Sequence, residues 1–543
     1  MKDKFIAILN GHQKILIAVI FFAMAVFGFA VSGGYGTPLD EDIEVSILTS
    51  NIKEYAMHIP GALGDKLENK FSYVTPISQS EEKDHGIAAY YPYAPLHILA
   101  GSHKLQRNLW HAYTFVIFMA GVLAVYGIVK VLFGSSWQAL FASLMLYLSP
   151  RMFAEGHYNN KDMVLMSFAL LTVYFGIKMI QTSRYSFAVL FALAAAVAAN
   201  TKIAGAWFFG IVGISYLVWL YVKKELKKAN VAVGICAIIV FFAAYAALTP
   251  AMWGNPLEFI KTLLMYAQDF DRWDNNILFE GSIYKYSINP PPKYYLLKMI
   301  LITTPPYLLA LTAVGTVLTA VELVKAKFRN KTAVIMAVNV LLWLFPLTFA
   351  VLSGTRVYNG WRHFYFIYGP IVITASYGVN GIVNLLKKRF AEYAGLTAAA
   401  AGIITVLVML TGIVINHPYQ CAYFNIFAGS DVKDNYETDY WMVSTKSALN
   451  RLYSDSSVKL PMKISGSDRM TQNALRKALK VLPDEAGAAY ELCDMADAGY
   501  IFVNHYGPVL TGEDTSQWEN NLKILSINSY GVEIAAVYKV KQP

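Results

Sequence analysis

Apolar stretches of membrane-spanning length, about 20 residues each, recur along this chain and leave it few folds to choose from. They fall near residues 14–33, 107–130, 137–150, 162–180, 185–199, 203–222, 230–250, 295–324, 332–353, 362–386 and 394–416. The pattern predicts a mainly α, polytopic membrane protein with about eleven transmembrane helices. A soluble globular chain is excluded: of 543 residues, 56% are hydrophobic and only 15% charged, too few polar groups to cover the apolar ones.

The segments between the apolar stretches are of two kinds. Lys2, Lys4 and Lys14, then Lys130, Lys178 and Arg184, Lys223 to Lys228, Lys325 to Lys331, and Lys387 to Arg389 occupy every second one. Basic residues are retained on the cytoplasmic side, so one alternating assignment satisfies all the groups, with the N-terminus cytoplasmic and the first apolar segment a retained anchor. The chain then belongs in the inner or plasma membrane, in contact with membrane lipids. The net charge of +9 is accounted for by these loops, which speaks against a nucleic-acid partner. The loops are short and hold no Gly-rich phosphate loop.

The same assignment places 34–106, 151–161, 251–294, 354–361 and everything after 417 outside. Residues 1–416 read as the transmembrane domain, with large outward loops at 34–106 and 251–294. Residues 417–543 read as a small C-terminal α/β extracytoplasmic domain, in which helical Asp468 to Lys480 alternates with strand-like runs at 499–503 and 532–540. Cys421 and Cys493 both lie there, and spacing leaves their pairing open.

Ionisable groups gather on the outward side. Asp40, Glu41 and Asp42 follow the first apolar segment, at the start of a stretch whose periodicity predicts an amphipathic helix lying in the membrane interface. Carboxylates at a helix start are favoured by the macrodipole, so capping and chemistry both account for them. A second group, Arg151, Glu155, His157, Lys161 and Asp162, precedes an inbound helix. A third, Arg356, Arg362 and His363, opens another, where a helix N-terminus and a guanidinium suit a phosphate. Lys202 lies in a tight outward turn. Tyr90 to Tyr93, Trp253, Trp273 and the Pro290-Pro291-Pro292 loop suit either acceptor access or rigid anchoring at the interface.

With the motifs in view the chain resembles glycosyltransferases of the C superfold, in the bacterial branch similar to protein O-mannosyltransferases and the aminoarabinose transferase of lipid A, a glycosyltransferase family 39-like group. Asp40-Glu41, His157-Tyr158-Asn159-Asn160-Lys161-Asp162 and Tyr358-Asn359-Gly360-Trp361-Arg362-His363-Phe364 carry the likeness. Glu437-Thr438-Asp439-Tyr440-Trp441 in the tail resembles bacterial members as well. The resemblance implies an enzyme that moves a hexose or pentose from a polyprenyl-phosphate donor to an extracytoplasmic acceptor hydroxyl on protein, lipid or glycan, with inversion. It implies Asp40, Glu41 and Asp162 as catalytic residues. Relatives often carry an arginine two positions after the glutamate, where this chain has Ile43, so the donor phosphate falls to Arg362, His363, Arg356, Lys161 or Arg151. Some members use a divalent metal, for which Asp40, Glu41, Asp162 and His157 would be the ligands. The rival reading is a transporter or flippase of lipid-linked sugars, which would bury ionisable groups at mid-membrane rather than at one face.

Overall fold

A computed structural model of the chain describes residues 11–268, 274–327, 329–390, 393–455, 460–514 and 516–540; Lys2, Lys4 and Trp273 lie outside the described residues. The helices that build the membrane part are α1 (Gln13–Ser32), α2 (Glu41–Met57), α3 (His103–Phe133), α4 (Ser136–Tyr147), α5 (Pro150–Tyr158), α6 (Asp162–Thr182), α7 (Tyr185–Thr201), α8 (Gly205–Val222), α9 (Lys228–Leu248), α10 (Pro306–Lys325), α11 (Lys331–Ser353), α12 (Tyr368–Arg389) and α13 (Ala394–Ile415). Among the described residues nine helical segments are long and apolar enough to cross a membrane. The expected spans at 137–150 and 185–199 are helices of 12 and 17 residues, α4 and α7. The protein is multi-pass, and the count of eleven stands as an expectation.

Helix ends follow local chemistry. The Ser102 and Asn330 side chains accept backbone N–H groups at the starts of α3 and α11, and Gly134 and Gly354 close the same helices in the left-handed region. The expected span at 295–324 is broken into Tyr295–Thr303 and α10, because Pro305 and Pro306 remove two backbone donors. The apolar surfaces sort as a bilayer requires: α13 exposes Leu396, Ile403, Ile404, Leu407 and Val408, whereas the alanines of α7, from Ala188 to Ala199, are buried. Helices α10 and α12 cross at near backbone contact. A Cβ at Gly315 would stand 2.0 Å from the Thr374 carbonyl oxygen, and one at Gly378 would stand 2.1 Å from that of Leu311, the small-residue crossing of membrane helices.

One expectation is corrected in part. Helix α2 does not turn its polar side as a whole to water; it buries Glu41, Glu44, Thr49, Ser50, Asn51 and Glu54 beside Ile47 and Leu48, and exposes Asp42, Ile43 and Met57. The reason is that its acids find partners on distant segments, Glu41 with Arg107, Glu44 with Lys161, and Glu54 with the Ser78 hydroxyl.

The tail forms a five-stranded mixed sheet of β1 (Met462–Gly466), β2 (Tyr490–Leu492), β3 (Tyr500–Asn504), β4 (Leu522–Ser529) and β5 (Val532–Lys539), in the order β2-β1-β3-β5-β4. β1 runs parallel to β2 and β3, and β5 is antiparallel to β3 and β4. Helix α14 (Arg469–Leu479), capped by Asp468 at Met470 N and Thr471 N, packs on β1. All three cysteines are free, so Cys421 and Cys493 do not pair.

Candidate active site

The loop between α1 and α2 is fixed from the tail side. Lys446 Nζ donates to the Gly33 carbonyl at 2.7 Å, the Tyr35 hydroxyl to Gln420 Oε1 at 3.1 Å, and Lys477 Nζ to the Leu39 carbonyl at 2.6 Å. Val443 presses so closely that a Cβ at Gly36 would stand 2.5 Å from its carbonyl oxygen. The tail therefore holds the six residues before Asp40 in one path. Sequence gave no signal of this, because each partner is hundreds of residues away.

Asp40 sits at the N-cap of α2 and makes no capping hydrogen bond with its side chain. Its carboxylate turns to Arg362, with Oδ2 3.3 Å from Nη1, and 47% of the side chain is exposed. The side chain thus spends no hydrogen bond on the helix start and is turned to the arginine instead. Arg362 is in turn sandwiched, its guanidinium carbon 4.5 Å from the Trp441 ring centre and 5.3 Å from that of Tyr358, which fixes the plane of the group. Trp441 comes from the tail; only its motif, not its place, was readable.

Asp162 opens α6 and is buried. Lys202 Nζ lies 2.5 Å from its Oδ1, and the Asn159 amide donates to its Oδ2 at 3.0 Å. Arg362 and His363 act on its charge as well, and His363 packs edge-on against Tyr358 at 4.4 Å. Lys161 pairs with Glu44 at 2.6 Å, beside Asn160, which donates to the same carboxylate. Burial opposes the charge on Lys161, but Glu44 and then Asp40 more than offset it and raise its pKa. On Lys202 burial wins: together with Arg362 and Lys161 it outweighs Asp162 and lowers the pKa, although about a quarter of the side chain still meets solvent. The result is a compact set of alternating charges, Asp40, Arg362, Asp162, Lys202, Lys161 and Glu44, drawn from the start of α2, the start of α6, the end of α7 and the segment before α12. The basic clusters lie at the opposite ends of α6, α8, α10 and α12.

The other expected residues sit apart from this set. Glu41 is 1% exposed and closed into an ion pair with Arg107 at 2.9 Å and a hydrogen bond with His111 Nε2 at 2.7 Å. Arg151 is buried, donating through Nε to the Tyr423 carbonyl at 3.0 Å and covering the Phe424 ring. Arg356 lies over the Tyr286 ring in the large outward loop. His157 stacks on Phe115, and its ring nitrogens lie 2.8 and 3.1 Å from the carbonyls of Phe153 and Gly28; burial pushes its imidazole down to about 3. The side chains implied for a divalent metal thus do not gather, and among the described residues no three His, Cys, Asp or Glu side chains form a metal-binding group.

Beneath the site lies a carboxyl that sequence reading left unassigned. Glu155 is fully buried, with Oε1 accepting from the hydroxyls of Tyr365 at 2.7 Å and Tyr440 at 2.8 Å. Its Oε2 accepts from the same Asn159 amide that reaches Asp162. Burial raises its pKa despite these donors. Glu437, also from the tail, is buried near Asn359 and Arg362, and burial pushes it up to about 8.

Residues 90–247 match the family model for dolichyl-phosphate-mannose-protein mannosyltransferases. Over that stretch, which holds Asp162, Lys161 and Lys202 but neither Asp40 nor Arg362, the resemblance to membrane glycosyltransferases of the C superfold is borne out. No curated protein sequence matches the chain. Among solved structures, the archaeal oligosaccharyltransferase AglB from Archaeoglobus fulgidus, in complex with an inhibitory peptide and a dolichol-phosphate, is similar at a TM-score of 0.42 and 10% identity, over 95% of this chain and 74% of that one.

Proposed function

We propose that the protein is an integral membrane glycosyltransferase that moves a sugar from a polyprenyl-phosphate donor to a hydroxyl on an extracytoplasmic acceptor. The observation that carries the reading is the state of Asp40: a half-exposed carboxylate not spent on capping, held beside a stacked arginine at the mouth of a charged cluster.

In the reaction, Asp40 accepts the proton of the acceptor hydroxyl as its oxygen attacks the anomeric carbon. The new C–O bond forms while the bond from that carbon to the phosphate oxygen breaks, and the electron pair leaves on the polyprenyl phosphate. Arg362 and Lys161 stabilise that developing charge, the first with its plane fixed by Trp441 and Tyr358. A single displacement inverts the anomeric centre. Asp162, held by Lys202 and Asn159, acts as a positioning carboxylate behind Arg362. Glu41 acts the same way for the loop, by tying α2 to α3 through Arg107 and His111. Arg151 and Arg356, turned to the Tyr423 carbonyl and the Tyr286 ring, are left out of this assignment. The family match and the charged cluster at one set of helix ends support this reading over a transporter, which needs such groups along a path through the bilayer.

The test is transfer by the purified protein in liposomes, with a panel of polyprenyl-phosphate sugars and a membrane-extract acceptor. Radiolabel moving from lipid to acceptor is expected. Movement of the intact lipid-linked sugar between leaflets, with none transferred, would replace this reading with the transporter.

A further inference from the structure

On the other side of the first turn of α2 lies a cavity of about 570 Å³, within the range of roughly 300–1,000 Å³ that small-molecule sites occupy. One wall is the face of α2 carrying Asp42, Ser46 and Thr49, at the spacing of one helix side. The facing wall is the first two turns of α3, with His103, Gln106 and Trp110, and Tyr73 stands at the rim, 79% exposed. Two helix faces meeting across a space are ordinarily apolar and close-packed; these are polar and held apart.

The lining also says what kind of ligand fits. Its charges cancel within the wall, since Arg107 pairs with both Glu41 and Asp42, and Asp42 pairs with Lys477 at 3.2 Å as well. No net charge is left to draw a phosphate or an ammonium group. What remains are neutral groups that both donate and accept, from Ser46, Thr75, Ser80 and Gln106, together with the exposed ring of Tyr73 at the rim; Tyr93 and Trp110 back the wall beneath them. Hydroxyls and an amide beside an exposed aromatic ring suit a neutral polyhydroxylated ring, which hydrogen-bonds at its edge and packs its C–H face on an arene.

Resting on the proposed transfer reaction, we infer that this cavity is a subsite for a saccharide chain of the acceptor, remote from the hydroxyl that reacts. Asp42 is two residues beyond Asp40, a rise of about 3 Å along the helix but about 200° around it, so a sugar seated against Asp42 and Ser46 is held on the far face of the helix whose start carries Asp40. The lipid donor approaches from the opposite side of the same turn, where Arg362 and Lys161 lie.

The experiment reads binding without catalysis, so its outcome is separable from that of the transfer assay. Saturation-transfer-difference NMR is recorded on the full-length protein in detergent with maltotriose, cellotriose, mannotriose, a Ser/Thr hexapeptide and inorganic phosphate as probes. The variants are Ser46→Trp, which fills the cavity from an exposed position, Tyr73→Ala at the rim, and Asp40→Asn. At least one trisaccharide is expected to receive saturation in wild type and Asp40→Asn and to lose it in Ser46→Trp, with a weaker signal in Tyr73→Ala. Saturation of the peptide or the phosphate alone, no trisaccharide signal at all, or a trisaccharide signal that survives Ser46→Trp would overturn the assignment. Unchanged melting of each variant separates loss of the site from loss of the fold.

Discussion

Lys477→Ala tests whether the tail governs the loop that carries Asp40. In the wild type the Lys477 ammonium, 10% exposed, donates to the Leu39 carbonyl at 2.6 Å and lies 3.2 Å from Asp42 Oδ2. A hydrogen bond from a charged donor contributes about 1.5–3 kcal/mol. The ion pair adds about 0–1 kcal/mol, at the weak end because Asp42 is half-exposed. Together they set roughly 1.5–4 kcal/mol on the path of residues 39–42. If that free energy holds Asp40 in place, its loss slows transfer by roughly 10- to 900-fold, at 1.36 kcal/mol per factor of ten. Donor affinity should change little, because Arg362 and Lys161 are untouched. The assay is single-turnover transfer in liposomes beside donor binding at equilibrium, with Lys477→Gln to separate the hydrogen bond from the charge. The change also has a pH signature. Burial opposes ionisation of Asp42, yet Arg107 and Lys477 together lower its pKa, so its contribution is complete above the unfolded value of about 3.9 and is lost as pH falls through the lower folded value. Removing Lys477 should move that loss to higher pH. Wild-type transfer in Lys477→Ala, with an unchanged acid transition, would refute the coupling.

Three further outcomes follow from the geometry. Gly36→Val should fail to assemble or lose transfer, because any Cβ there meets the Val443 carbonyl, a backbone atom that cannot step aside; limited proteolysis of the tail reads the effect. Arg362→Lys keeps the charge but loses the planar stack on Trp441 and Tyr358, so kcat should fall more than donor affinity does. Glu437 has its pKa pushed up to about 8 by burial, so the folded state keeps a proton that the unfolded chain releases near 4.3. Its contribution to stability therefore falls as pH rises from about 4.3 to about 8, and Glu437→Gln should flatten that part of the melting profile.

The spans were legible because a bilayer imposes length and composition on each helix separately. The expected segments at 14–33 and 394–416 coincide with α1 and α13 to within a residue or two. What depends on partners was not legible. Helix α2 reads as interfacial when its acids are counted alone, and as partly buried once Arg107, Lys161 and Ser78 reach it from loops far along the chain. The same limit separated the arginines: Arg362, Arg356 and Arg151 all precede helices on one side, yet only Arg362 meets Asp40, while the others turn to Tyr286 and to the Tyr423 carbonyl. Lys202 stood out as a cation in a membrane turn, and its role became visible only with Asp162 beside it. Trp441 and Lys477 lie too far along the chain for any local pattern to link them to Asp40.

The most direct measurement is a comparison of wild type and Asp40→Asn in liposomes, following both donor binding and sugar transfer. Asparagine keeps the shape of the side chain and removes its capacity to take a proton. With Asp40 as the base, the variant binds donor and melts as the wild type does, but transfer falls by about 10²-fold or more, the usual contribution of a positioned base. Transfer at the wild-type rate in a folded, donor-binding Asp40→Asn would contradict the account.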